Sequence, residues 1–169
     1  PGGRLAAPIE ALPTLQHPHL KHGTWCVRYM EGGDPGTLVV PEQCYLFVDR
    51  YVVPGETDET CIAQIMEAAE KLGLSGKVDV RLKPRKSPYM QSFALKEDHP
   101  LVKILQEEFH SVTGKDLPCA YDASVCDSNI LAVILGIPVV TVGPSGGNMH
   151  GDNEYGYAWE VKKCGEVYR

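Results

Sequence analysis

The stretch GPSGGNMHGDNEY, residues 143–155, carries a histidine in a run of glycines directly after an apolar segment. His150 is followed by Asp152 and Glu154. Loops at strand ends hold many of the functional groups of α/β proteins, and an imidazole there can bind a metal or transfer a proton. The carboxylates could be ligands or could orient the imidazole. A loop histidine that hydrogen-bonds the backbone is the simpler interpretation, and Glu154 could equally cap the following helix.

Three glycines of this loop, Gly143, Gly146 and Gly147, could cradle an anion with their backbone N–H groups. No Lys-Ser or Lys-Thr pair follows them, which excludes a P-loop. The tetrapeptide CDSN, residues 126–129, places Asp127 near the start of an expected helix. There its side chain could contact a substrate or cap the helix.

Six cysteines are scattered along the chain without a CxxC pair. In a chain of this length and apolar content, they predict buried thiols of a cytoplasmic protein. A disulfide between Cys119 and Cys126 is the alternative. Cys126 and His150 could also form a nucleophile–base pair, but neither an orienting acid nor an oxyanion motif accompanies them.

Two further groups carry weaker signals. His17, His19 and His22 in HPHLKH resemble a metal-binding tract, but the proline and the lack of cysteine favour a solvated loop. Arg50 and Glu56 flank a turn, where they could bind a carboxylate or form a surface ion pair of little energetic value.

The composition limits the class of protein. The chain has 169 residues, 43% of them hydrophobic, which predicts a globular protein of one or two domains. A net charge of −6 argues against a nucleic-acid partner, because phosphate binding needs a basic face. No apolar run approaches the roughly 18 residues that span a bilayer, so no membrane partner is expected. The first residues lack the basic region and apolar core of a secretory signal.

The elements that must position these residues fall into two patterns. The first half predicts the order α-β-β-α-β, and one further strand before residue 1 would complete a ferredoxin-like βαββαβ unit. Hydrophobic periodicity predicts a helix over residues 4–16, and β-forming residues predict strands over 23–30 and 43–52. A second helix is expected to begin at PGETDET and to end at Gly73, and a third strand is predicted over 77–82.

The second pattern follows the polar, proline-containing segment KPRKSPYMQSF, which marks a domain boundary. A helix over 98–113 is predicted, with Asp98 as its N-cap and Gly114 at its end. Further helices are predicted at 124–135 and roughly 158–169, and the apolar run 137–142 predicts a strand buried on both faces. This half is α/β, and the whole chain is therefore placed in the α+β class.

Two longer stretches together resemble one enzyme family. The first is GG…VVPEQCYLFVDRYVVPGET, residues 32–57, and the second is CDSNILAVILGIPVVTVGPSGGNMHGDNEY, residues 126–155. They resemble the di-zinc metallopeptidases that include aminoacylase, acetylornithine deacetylase, succinyl-diaminopimelate desuccinylase, carboxypeptidase G and peptidase T. The combination of the two stretches, rather than either alone, carries this resemblance.

The resemblance implies a ferredoxin-like lid (dimerisation) domain over residues 1–86. The C-terminal part of an α/β zinc-peptidase catalytic domain would follow over residues 87–169. His150 matches the family's last zinc ligand. The parent enzyme would hold two zinc ions, or cobalt, that activate a water molecule for attack on an amide carbonyl. Four residues would line the substrate pocket: Asp127, Ser128, Asn129 and Gly143.

The family's other zinc ligands and its general-base glutamate precede the lid and have no counterpart here, so no catalytic residue is assigned within the chain. A zinc site needs three or more protein ligands. We therefore expect a catalytically incomplete fragment of a cytoplasmic, homodimeric hydrolase that acts on N-acyl amino acids or short peptides. The alternative is a non-enzymatic dimerisation or interaction module, whose edge strand pairs with a second copy.

Overall fold

A computed structural model describes residues 2–169 of the chain. The chain divides into two compact units, Pro1–Ser92 and Phe93–Arg169. The fold mixes α-helices with short antiparallel sheets, which confirms the predicted α+β class at this coarse level. Among the described residues, no helix combines the length and the apolar character needed to cross a bilayer.

The first unit is built from two helices and two antiparallel hairpins. In chain order these elements are α1 (Gly2–Glu10), β1 (Gln16–His17), β2 (Lys21–His22), β3 (Thr24–Glu31), β4 (Tyr45–Tyr51) and α2 (Asp58–Lys71). Strands β3 and β4 pair from Thr24 opposite Tyr51 to Glu31 opposite Tyr45. This confirms the predicted strands over 23–30 and 43–52 and the helix after them.

The core of this unit lies between the two helices and one face of the β3–β4 sheet. Its buried side chains come from α1, β3, α2 and the turn after α2, and they are Leu5, Ile9, Trp25, Cys61, Ile65, Ala68, Ala69 and Leu74. Leu46 and Val48 pack against them from β4. Because successive strand residues face opposite sides, Phe47 lies on the other face, where its ring contacts Tyr29 at 5.5 Å between centroids.

Helix α2 is closed at both ends by local hydrogen bonds. The Thr57 hydroxyl accepts the Thr60 N–H at 3.3 Å, and the Thr60 hydroxyl accepts the Thr57 N–H at 3.0 Å, which is a capping box. Gly73 follows the helix with φ +69° and donates its N–H to Glu70 O at 2.8 Å, as the predicted C-terminal glycine should.

The predicted strand over residues 77–82 is not formed. These residues pair with no neighbouring strand among residues 2–169, although Val78 and Val80 pack against the core and Asp79 and Arg81 are exposed. The alternation of apolar and polar residues over 77–82 therefore reflects burial of one side of the segment. A strand also needs a hydrogen-bonding neighbour, and alternation cannot supply that information.

The second unit contains two principal helices and a small hairpin. Its elements are α3 (Pro100–Thr113), a π-helical turn (Ile130–Ile134), β5 (Gly146–Gly147), β6 (Tyr155–Gly156) and α4 (Ala158–Val167). Helix α3 ends at Gly114 as predicted, with φ +68°. Its N-cap is His99 rather than Asp98, because the His99 imidazole accepts the Leu101 N–H at 3.1 Å.

Two predictions for this unit are wrong. The helix expected over 124–135 is reduced to the π-helical turn at Ile130–Ile134. The apolar run 137–142 is not a strand and is not fully buried. A strand covered on both faces needs strands beside it, and among residues 2–169 none pairs with this run.

The cysteines also differ from the prediction. All six are free thiols, so the disulfide between Cys119 and Cys126 is not formed. Cys61 alone is buried, Cys164 is half-buried, and the other four are exposed.

Candidate functional site

The loop that carries His150 is closed by a two-stranded hairpin. Gly146 pairs with Gly156 and Gly147 with Tyr155. A Cβ at Gly147 would lie 2.7–2.8 Å from the Tyr155 ring, and a Cβ at Gly146 would overlap the Tyr155 carbonyl. These two glycines are thus required for strand pairing against Tyr155, which explains them without an anion.

A carboxylate on α4 fixes the base of the same hairpin. Glu160 accepts the Ser145 N–H at 2.5 Å and the Ser145 hydroxyl at 2.6 Å. The hydroxyl and then the backbone N–H of Ser145 hold the pKa of the Glu160 carboxyl below its ordinary value. Sequence reasoning missed this pair, because nothing in the sequence indicates that a helix side chain meets a loop residue 15 positions earlier.

His150 itself sits on strained backbone. It has φ +60°, and Asn148 and Asn153 in the same loop have φ +56° and +58°. Such left-handed conformations cost free energy in residues other than glycine, and they cluster at functional sites. The imidazole is exposed and makes no hydrogen bond or ion pair with any residue from 2 to 169. It is therefore available to a metal ion or a proton.

The two acidic residues after His150 do not engage its side chain. Glu154 accepts the His150 backbone N–H at 3.3 Å. It does not cap α4, whose N-cap, Tyr157, has no side-chain cap hydrogen bond. Glu154 thus holds the main chain of the loop and leaves the imidazole free, while Asp152 is exposed.

The donor set of this chain does not by itself fit a zinc ion. Among residues 2–169, no three or more side chains of His, Cys, Asp or Glu converge on a point that could hold a metal. A zinc site in a protein needs at least three such ligands. His150 is therefore at most a single ligand within the described part of the chain.

The candidate substrate residues 127–129 form a turn that leads into the π-helix. The Asn129 carboxamide is buried, and its oxygen accepts the Cys126 N–H at 3.0 Å. Asp127 is exposed, and the Ser128 hydroxyl contacts the Cys126 thiol at 2.7 Å. The hydrogen-bond partner of the thiol is therefore Ser128, and the nucleophile pair with His150 is not formed. Gly143 is exposed, with open space where a Cβ would lie.

The histidine tract serves the β1–β2 hairpin. The His17 Nδ1 accepts the N–H groups of His19 and Leu20 at 3.3 and 3.2 Å, and the His22 Nδ1 lies 2.7 Å from Gly23 O. No metal-binding cluster includes these rings in the described residues. His17 thus closes the turn of the β1–β2 hairpin.

The ion pair between Arg50 and Glu56 is buried, so its interpretation as a surface pair was wrong. The two side chains are only 9% and 8% exposed. The Arg50 guanidinium stacks on the Trp25 ring at 4.6 Å and also donates to the Tyr51 carbonyl. The carboxylate that Arg50 binds is therefore that of Glu56 in the same chain.

The turn between the two residues explains their spacing. Glu56 N donates to Val53 O at 3.1 Å, and Gly55 has φ +101°, which is typical of the third residue of a type II turn. The turn folds Glu56 back so that its carboxylate accepts the N–H groups of Val53 and Leu15, each at 3.0 Å. The motif DRYVVPGE thus builds a buried structural network.

The chain was also compared with known proteins. Neither the protein-family models nor the curated proteins include a match to it.

Proposed function

We propose that this chain is part of a metal-dependent hydrolase that cleaves amide bonds in N-acyl amino acids or short peptides. The proposal rests on the resemblance of residues 32–57 and 126–155 to the di-zinc metallopeptidases. The single observation that supports it most is the state of His150. An exposed imidazole that has no hydrogen-bond or ion-pair partner among residues 2–169 lies on a strained loop that Glu154 and the Ser145–Glu160 pair hold in place.

The state of His150 favours a ligand role over a structural one. A histidine with a structural role forms hydrogen bonds through its ring, as His17 does in its hairpin turn. The loop of His150 instead uses carboxylates to hold the backbone and leaves the ring unoccupied. Strain is retained at a position only when the surroundings impose it, and functional sites are where this is commonly found.

The proposal requires further metal ligands outside residues 1–169, since one imidazole does not make a zinc site. The zinc or cobalt ions, when bound, would polarise the amide carbonyl and lower the pKa of a water molecule. In this proposal the chain contributes one metal ligand, the imidazole of His150. Four residues, as the resemblance suggests, would contact the substrate: Asp127, Ser128, Asn129 and Gly143.

The test uses the protein encoded by the complete reading frame. Its hydrolysis of a panel of N-acetyl and N-succinyl amino acids and dipeptides is measured before and after treatment with a chelator, and again after zinc or cobalt is restored. We expect activity that the chelator removes and the metal restores. His150→Ala should abolish it.

The matched control is His110→Ala, because His110 is exposed and pairs with the exposed Asp116 at 3.1 Å, outside the proposed site. This variant should keep wild-type activity. Hydrolysis that survives both the chelator and His150→Ala would refute the proposal. Activity that is instead lost on alkylation of Cys126 would indicate a thiol enzyme.

One observation favours a second function, self-association through the first unit. The β3–β4 sheet has only two strands among the described residues, so each strand has an outer edge without a strand partner there. Unpaired edges are sites of strand addition, and the exposed apolar residues Met30 and Tyr45 lie beside them. Sedimentation equilibrium should show a dimer that Tyr45→Lys weakens and Ile104→Lys, on α3, does not. A monomer at all concentrations would exclude this function.

A further inference from the structure

A short exposed segment, residues 83–89, forms a closed loop of its own within the first unit. It contains neither helix nor strand, and every residue in it is exposed. The Tyr89 hydroxyl donates to the Lys83 carbonyl, which brings the two ends together. The Arg85 guanidinium lies over the Tyr89 ring at 5.1 Å. Ser87 stands near the middle of this loop.

The Ser87 hydroxyl is already held by a cation. It accepts hydrogen bonds from two nitrogens of Arg85, Nε at 3.0 Å and Nη2 at 2.6 Å. The same two donors can bind two oxygens of a phosphate side by side. Pro88 disfavours helical backbone at Ser87, and the exposed loop leaves the Ser87 hydroxyl accessible to a modifying enzyme.

The local charge is favourable for an added anion. The chain carries a net charge of −6, yet residues 80–96 include no carboxylate and contain the run RLKPRK at 81–86. Lys83 lies over the Phe47 ring at 5.0 Å rather than in an ion pair with an acid. A phosphate on Ser87 would meet the Arg85 guanidinium at hydrogen-bond distance, and the carboxylate of Asp79 nearest in sequence before the run is paired with Arg81 at 3.9 Å.

Two other serines, Ser124 and Ser145, have the opposite surroundings. The Ser124 hydroxyl donates to Asp122 at 2.5 Å, and the Ser145 hydroxyl donates to Glu160 at 2.6 Å. A phosphate at either position would face a carboxylate at hydrogen-bond distance, and repulsion between like charges would oppose it.

We infer that Ser87 is a phosphorylation site, modified by a serine kinase that recognises a basic residue before the serine and a proline after it. The Ser87 Oγ attacks the terminal phosphorus of a nucleoside triphosphate. A new O–P bond forms, the bond from that phosphorus to the bridging oxygen breaks, and the nucleoside diphosphate leaves. The hydroxyl proton passes to the base of the kinase.

After phosphorylation of Ser87, the Nε and Nη2 groups of Arg85 that bound the hydroxyl bind the phosphate. The phosphate oxygens accept from Arg85 in charge-assisted hydrogen bonds, which are stronger than those made to a neutral hydroxyl. They compete with the Tyr89 ring for the same guanidinium, so the loop rearranges locally. This inference is independent of the proposed hydrolase function, because it uses no residue of the His150 loop.

The first test is phosphorylation of the whole chain with magnesium ATP by a proline-directed serine kinase and, separately, by a basophilic one. The position is read by fragmentation mass spectrometry. We expect one phosphate, on Ser87, that is absent in Ser87→Ala and retained in Ser124→Ala. Phosphate at other positions with Ser87 unmodified, or no phosphate from either kinase, would overturn the inference.

The second test examines the Arg85 fork by phosphorus NMR of the protein with phosphoserine introduced at position 87 during translation. A phosphoserine loses its second proton with a pKa of about 6. We expect a lower pKa in the wild-type background than in Arg85→Gln, because the guanidinium favours the dianion. Equal values in both backgrounds would refute the role of Arg85.

Discussion

Removal of the Glu56 carboxylate should destabilise the first unit strongly. In Glu56→Ala, the Arg50 guanidinium stays buried against Trp25 without its counter-charge. The N–H groups of Leu15 and Val53 also lose the acceptor that they contact at 3.0 Å. Breaking a buried ion pair by removing one partner costs about 3–5 kcal/mol. Because the N–H of the buried Val53 is left without a partner as well, we expect a value toward the upper end of this range.

The matched control is the exposed pair between Arg28 and Asp49 on the same sheet. Its nitrogen–oxygen distance is 3.0 Å, but its side chains are 66% and 45% exposed. Asp49→Ala should therefore cost only about 0–1 kcal/mol. The comparison separates the effect of burial from the effect of losing any ion pair in the sheet.

The assay is urea unfolding followed by tryptophan fluorescence. Trp25 is buried under Arg50 and reports on the first unit, whereas Trp159 is 61% exposed in the second unit and is replaced by Phe in every variant. The double variant Arg50→Met/Glu56→Leu should recover much of the loss, since an apolar pair leaves no buried charge. A Glu56→Ala protein as stable as Asp49→Ala would refute the account of this network.

Three further predictions follow from local contacts. The lowered pKa of Glu160 stabilises the fold above its unfolded-state pKa, and this contribution is lost as the pH falls through the lower folded-state value. The hydrogen-exchange protection factors of the hairpin, relative to the intrinsic rates at each pH, should therefore fall on acidification of the wild type, and Ser145→Ala should remove this dependence. Burial raises the pKa of the Cys61 thiol, so mass spectrometry after iodoacetamide treatment near neutral pH should find Cys61 alkylated more slowly than the four exposed cysteines. Gly114→Ala should destabilise the second unit by about 1–2 kcal/mol, because φ is +68° there. Gly165→Ala inside α4 should instead stabilise it by about 0.5–1 kcal/mol. Thermal unfolding that shifts in the same direction for both variants would contradict this prediction.

Elements with strong local signals could be predicted from the sequence. Helix α2 has its polar cap, its apolar stripe and its closing glycine within one short stretch, and β3 and β4 alternate on either side of a turn. These interactions join residues close in sequence or directly opposite in a hairpin. Local patterns therefore contain most of the information that determines these elements.

Elements that depend on distant neighbours could not be predicted in the same way. The run 137–142 is apolar enough for a buried strand, but pairing depends on other strands, and none pairs with it among residues 2–169. Similarly, the sequence suggested that Arg50 and Glu56 meet across a turn. It did not indicate that Trp25 and the Leu15 segment would cover them.

The candidate site could be predicted only in part. The sequence singled out His150 and the acidic residues after it, but not that Glu154 would hold the backbone or that Glu160 would hold Ser145. It also could not show that the ring would be left without a partner. These features depend on the left-handed backbone of the loop, which no pattern of residue types specifies.

The most direct test of the central claim is the metal content of the protein from the complete reading frame, measured by elemental mass spectrometry after dialysis against buffer without metal. We expect zinc or cobalt bound in stoichiometric amounts in the wild type and in His110→Ala, and a clear loss of metal in His150→Ala. A wild-type protein without bound metal, or a His150→Ala protein with the same metal content as the wild type, would contradict it.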